Sequence, residues 1–191
     1  MASEAVNDLI EAITTWPTGM PVRAMERLIA LGASAVAALN EALDSWQDDD
    51  ARDILWLIVL LGELRHADSI APLIRQLCRT DLDYLAVASA EALAKIGKPA
   101  LPALIDLTDS PDPEVRLYAY ITLGWIDDER SFNKLTDLLT QDSELADIIA
   151  NALADQGRAD ALPLIYQAYK DVLPWQRAEL EDAMIHLHAH R

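Results

Sequence analysis

Cysteine occurs once, as Cys78, which excludes an internal disulfide. Glycine is scarce at 6 residues, phenylalanine occurs once, and aromatic residues make up only 6% of the chain. β-Branched residues are also few, whereas Ala and Leu dominate, and that balance favours helix over strand. The longest apolar run, Ile54 to Leu61, falls far short of the roughly 20 residues that a membrane span requires. The opening Met1-Ala2-Ser3-Glu4 has no basic start followed by an apolar stretch, so no secretory signal and a cytoplasmic location are expected.

Positive charge is in short supply. Lys and Arg number 15 against 32 Asp and Glu, for a net charge of -17. Affinity for phosphates is built on Lys and Arg, so such a field disfavours DNA, RNA and anionic membranes. A basic protein partner fits it better. Chemistry-bearing patterns are missing as well: there is no Gly-rich phosphate loop, no Cys-x-x-Cys pair and no Gly-x-Ser-x-Gly elbow. Carboxylates are plentiful, but among 32 of them some always lie close, which is no sign of acid-base catalysis. The sequence therefore predicts a non-enzyme with no cofactor and no metal.

What is present is a repeat. Segments 28–36, 61–70, 93–101, 123–132 and 153–162 align, with equivalent turn positions at Gly32, Arg65, Gly97, Asp127 and Gly157. These lie 33, 32, 30 and 30 residues apart. In each unit a first helix ends on an apolar residue, and Gly or Asp then stands where a left-handed or turn conformation is needed. A second helix follows, with apolar residues at i, i+3 and i+7: Val36, Leu39 and Leu43; Ile70, Leu73 and Leu77; Phe132, Leu135 and Leu139; Leu162, Ile165 and Tyr169. The third repeat keeps Leu101 and Leu104 but has Thr108 at the last position. One such helix cannot cover its own apolar stripe, so neighbours must stack. The expected fold is all-α, a right-handed α-α superhelix (solenoid) of about five helical hairpins in one domain over 1–191. Repeats are expected at 18–46, 48–79, 81–108, 111–140 and 142–170, with capping helices at 3–16 and 173–190.

The ends suit that role. Val6, Leu9, Ile10 and Ile13 form one stripe on a helix stopping at Trp16-Pro17. Pro174 is expected to start a last helix with Leu180, Ala183, Met184 and Leu187 on one face and Arg177, Glu181 and His188 elsewhere. The acidic run Asp48, Asp49 and Asp50 is expected to open the next helix.

The clearest helix start is 109–116, DSPDPEVR. Asp112 suits the cap, Pro113 the first helical position, and Glu114 meets the positive end of the helix dipole. Continued by 117–124, LYAYITLG, this stretch resembles the HEAT repeat, especially the shorter HEAT-like type of the phycobilin-lyase group. The resemblance covers Pro21 to Lys170. It departs from the pattern where Arg65 and Asp127 replace a turn Gly, and where Ala94 and Ala154 replace the Gly found at Gly62 and Gly124. The resemblance implies a second possible function, in which a tetrapyrrole is handled and attached to or removed from a phycobiliprotein cysteine. The propionates of a bilin would need convergent cations, for which Arg75, Arg79 and Lys134 are the inward candidates. Iron enzymes built on HEAT-like repeats carry repeated His-Glu pairs, and no His-Glu dipeptide occurs here. HEAT-like DNA glycosylases have a basic concave surface, which this acidic chain lacks.

In a solenoid the second helices line the concave face. Counting five residues on from Val36 and its equivalents gives a ladder of Glu41, Arg75, Asp106, Asp137 and Gln167. One turn back lie Ala37, Ala71, Pro102, Asn133 and Pro163. Small residues edged by carboxylates make a shallow groove suited to a basic or amphipathic segment of a protein partner. The expected partner-binding set is thus Glu41, Arg75, Asp106, Asn133, Asp137 and Gln167. His186 and His190 stand at the i,i+4 spacing of metal ligands, but no carboxylate or Cys is placed to complete a site. His66 falls in a turn and is expected at the surface or as a cap. Among the tryptophans, Trp56 is expected in the core and Trp125 at a partly exposed ridge.

Overall fold

A computed structural model describes residues 2–15, 20–46 and 54–189, and among them there are helices and turns but no strand. Trp16, Pro17, the run Asp48 to Asp50, and His190 lie outside the described residues. No described helix is long and apolar enough to cross a membrane. Two compact units are present, Met1–Ala100 and Leu101–Arg191. The boundary falls within the third hairpin of the sequence repeat.

The first unit holds α1 (Ala2–Thr14), α2 (Val22–Leu31), α3 (Ala33–Asp44), α4 (Leu55–Leu64), α5 (Ile70–Leu77) and α6 (Asp83–Ile96). The stripe Val6, Leu9, Ile10 and Ile13 buries α1 against its neighbours. Helix α4 is apolar nearly all round, and it is accordingly the centre of the unit, touching α1, α2, α3 and α6. Gly62 lets α4 and α6 come together: a Cβ there would stand 2.8 Å from Cα of Ala92 and 2.9 Å from its Cβ. The turns after α2, α4 and α6 are left-handed at Gly32 (φ 58°), Arg65 (φ 52°) and Gly97 (φ 76°). Arg65 is in the αL conformation (ψ 35°), which an L-residue reaches at a cost, whereas Gly32 (ψ −136°) and Gly97 (ψ −135°) take a conformation essentially reserved for glycine. His66 caps the next turn, its Nδ1 accepting from the Asp68 N–H at 3.3 Å. Trp56 is only half-buried, because the fully buried positions of α4 are taken by Leu57, Ile58, Leu60 and Leu61.

The second unit holds α7 (Leu101–Leu107), α8 (Pro113–Gly124), α9 (Glu129–Gln141), α10 (Ala146–Asp155), α11 (Ala161–Ala168) and α12 (Arg177–Ala189). Thr108 breaks the apolar stripe because α7 has already ended. It is buried, and its hydroxyl donates to the Ile105 carbonyl at 2.7 Å. Asp112 caps α8 as read from the sequence, accepting from the Glu114 N–H at 2.9 Å with Pro113 at the first turn. The fourth hairpin turns differently from the others. Asp127 has no positive φ; instead Asp128, in extended conformation, caps α9 by accepting from the Arg130 N–H at 3.0 Å. Gly124 repeats the close approach of Gly62, with a Cβ position 2.7 Å from Cα of Ala152.

Carbonyls at the end of α8 are satisfied by side chains the sequence did not flag. The buried Ser131 hydroxyl donates to Leu123 and Ile126, and Gln156 Nε2 donates to the same Leu123 carbonyl at 3.0 Å. The last helix begins at Arg177, three residues after Pro174. Gln176 explains the delay. Wholly buried, it accepts from the Leu173 N–H through Oε1 and donates Nε2 to the carbonyls of Ser143 and Glu144, at 3.0 and 3.2 Å. Leu180, Ala183 and Leu187 then bury α12, with Met184 half-buried beside them.

Candidate functional site

The periodicity that buries one face of each second helix exposes the other. Glu41, Arg75, Asp106, Asn133, Asp137 and Gln167 are all exposed, as are Ala37, Ala71, Pro102 and Pro163.

In the first unit, α3 and α5 are tied by charge. Arg75 donates Nε to Asp44 Oδ1 at 3.2 Å and Nη2 to Oδ2 at 2.6 Å. Arg79 lies 4.8 Å above the Trp46 ring. Glu41 points elsewhere: it lines a depression of about 430 Å³ between α1 and α3, together with Asn7, Thr14 and Ser45. Glu41 lines this depression and Arg75 does not.

In the second unit, a cleft of about 180 Å³ opens between α9 and α11. Thr136, Leu139 and Thr140 form one wall, Leu164, Gln167 and Ala168 the other, and Asp171 stands at the edge. The Thr136 hydroxyl is buried with no hydrogen-bond partner. Of the sequence-derived set only Gln167 lines this cleft; Asp137 follows Thr136 on α9, while Asp106 and Asn133 are exposed outside it. Asp171 was missed, although it follows Gln167 by one helical turn and that spacing could have revealed it. Lys134 is turned to Asp109, with 3.4 Å between Nζ and Oδ1.

Elsewhere in this unit the polar side chains serve the fold. Asp142 accepts from Arg116 Nε at 2.9 Å and from the Tyr120 hydroxyl at 2.8 Å, and Arg116 also reaches the Ser110 carbonyl. Burial opposes the Asp142 charge, but the bonds from Tyr120 and Arg116 outweigh it and hold the carboxyl below its ordinary pKa. Asp155 goes the other way: burial raises its pKa against the opposing effects of His186 and Trp125. His186 is thus within electrostatic reach of α10. Among the described residues no three His, Cys, Asp or Glu side chains come together in a way that could hold a metal ion.

Residues 70–148, from the first residue of α5 into α10, match the family model of HEAT repeats. That stretch is therefore HEAT-repeat in character, as the residues around Asp112 and Pro113 suggested, in an all-α helical-repeat fold. HEAT repeats are of the scaffold type, whose stacked helices offer long surfaces for protein interaction. Among solved structures, human deoxyhypusine hydroxylase in complex with glycerol is similar at a TM-score of 0.47 and 15% identity, covering 98% of this chain and 97% of that one. The crystal structure of an engineered protein is similar at a TM-score of 0.42 and 21% identity, covering 97% of each chain. At those values neither bears on activity. No curated protein matches the chain.

Proposed function

We propose that the chain is a single HEAT-like repeat domain acting as a non-catalytic interaction module, one that holds a basic or amphipathic segment of a protein partner on the exposed faces of its second helices. The observation that carries this reading is the α9–α11 cleft, lined mainly by apolar atoms and edged by Gln167 and Asp171. A cleft of this size takes an aliphatic side chain of the partner, while Asp137 and Asp171 face its Lys or Arg residues. The net charge of -17 draws a basic segment in from a distance. Glu41, Arg75, Asp106 and Asn133 extend the same exposed faces within their own units.

Tetrapyrrole handling is less well supported. It needs cations turned toward a bilin carboxylate, whereas Arg75 is engaged by Asp44, Lys134 by Asp109, and Arg79 by the Trp46 ring. Addition of a bilin to the chain should leave its absorbance unchanged.

A fluorescent Lys-rich amphipathic model helix tests the main reading by anisotropy. Asp137→Lys with Gln167→Lys should weaken its binding about tenfold or more, as should raising the salt. Binding that is unchanged by the double substitution would remove the cleft from the proposal.

A further inference from the structure

Both walls of the α9–α11 cleft keep one helical period. Thr136, Leu139, Thr140 and Ser143 stand at i, i+3, i+4 and i+7, and Leu164, Gln167, Ala168 and Asp171 repeat that spacing. Each wall is therefore a single continuous face. The two faces also end together, because Gln176, five residues beyond Asp171, donates Nε2 to the Ser143 carbonyl at 3.0 Å. Asp171 thus marks one end of the cleft, where α9 has just stopped at Gln141 and α11 at Ala168.

The electrostatics of that end are negative. Helix C-termini carry the negative pole of the helix dipole, and Asp171 is the one ionisable group among the described lining residues. Cations on the surrounding elements are engaged elsewhere. Lys170 lies over the Tyr166 ring and Arg177 over Tyr169, while Arg116 is held by Asp142 and Glu144. On α9, Lys134 is turned to Asp109 and Arg130 to Asp128, and α10 has no Lys or Arg. Among the described residues Asp171 itself has no ion pair.

We infer that the cleft is a lysine pocket: a lysine of the protein partner lays its methylene stem between Leu139, Leu164 and Ala168 and sets its ammonium on Asp171. This rests on the reading of the cleft as the docking site and names the residue that it takes. Lysine meets both demands in one side chain, with four apolar carbons and a compact charge carrying three N–H donors. Gln167 Oε1 and the Thr140 oxygen, whose proton goes to the Asp137 carbonyl at 3.1 Å, are further acceptors on the same faces. An aliphatic anchor fills the walls but leaves the negative end unanswered. Arginine has one methylene fewer, so its Nε–H falls between apolar walls, and its planar head is broader than the point charge this end accepts.

The test reads the anisotropy of a fluorescein-labelled amphipathic model helix added to the full chain. Its apolar face is constant, its other residues are uncharged, and its central residue is Lys, Arg, norleucine or Nε-acetyllysine. The Lys helix should bind about three- to fivefold tighter than the other three, the gain expected of one ion pair at a rim. Asp171→Asn should bring the Lys helix to the norleucine level, leaving the norleucine helix and the circular dichroism of the chain unchanged. Higher salt should narrow the same gap. The inference is overturned if the Lys helix fails to bind, if the norleucine or Arg helix binds the parent equally well, or if the gap survives Asp171→Asn. Butylamine binding as tightly as the Lys helix would overturn it too, by making the occupant a small amine. Ala168→Trp, which fills the cleft, separates the two readings. If all four helices still bind that variant, the docking site itself is elsewhere; if it removes them while norleucine matches Lys, the lysine assignment alone falls.

Discussion

At Gly62 and Gly124 a hydrogen stands where any other residue would place a carbon. The obstacle at both is backbone: Cα of Ala92 at 2.8 Å and Cα of Ala152 at 2.7 Å. A main-chain atom cannot rotate aside as a side-chain tip can, so the helices would have to part. Gly124→Ala should therefore destabilise the chain by about 1–3 kcal/mol, even though Ala is the better helix former. A urea midpoint equal to that of the parent would show that the seam between α8 and α10 has slack. The sequence revealed that these glycines alternate with Ala94 and Ala154, but it could not reveal what they face, because the opposing alanine lies in the next hairpin and is chosen by the crossing of two helices. Turn positions were easier. Gly32, Gly97 and Gly157 are left-handed as glycine at a helix end implies, and Arg65 was found by register alone. Asp127 escaped that rule because its neighbour Asp128 takes over as a cap.

At the scale of the element, α8 shows which junctions local sequence can describe. Its start was readable, since Asp112, Pro113 and Glu114 act within one turn of each other. Its bond to the end of α9 was not, since Arg116 and Tyr120 meet Asp142 only after the chain has run out and back. That carboxylate is held below its ordinary pKa, so it contributes stability above the unfolded value of about 3.9 and loses it as pH falls through the folded value. Asp142→Asn should accordingly cost about 1–3 kcal/mol at neutral pH, and the gap from the parent should close in strong acid. Urea titrations at pH 7 and pH 3 read both halves. A gap of equal size at the two pH values would mean that the carboxylate charge plays no part. The same distinction separates Pro174, a local signal that suggested too early a start for α12, from Gln176, whose partners lie about one repeat back.

Across the whole molecule, charge is the dominant excess. With most described cations already engaged, many carboxylates are left facing water and one another, and compaction works against their repulsion. Raising sodium chloride from a few millimolar to physiological strength and beyond should raise the melting temperature in scanning calorimetry, because screening weakens the repulsion more than it weakens exposed pairs such as Arg75–Asp44. A falling melting temperature would show the pairs to be the larger effect. Exposure of the proposed interaction residues was legible at this scale from helical period alone. The α9–α11 cleft was not, since it depends on how two helices pack.

The alternation of Gly62 and Gly124 has one more consequence, for how such a chain lengthens. Ser69 and Ser131 are spaced in the same way, two hairpins apart. Inserting a second copy of the α4 hairpin directly after the first would set Gly62 against Leu60 of the copy, where Ala92 now stands, and the bulkier side chain would wedge the pair open. Growth by duplication is compatible with these seams only when hairpins are copied as couples.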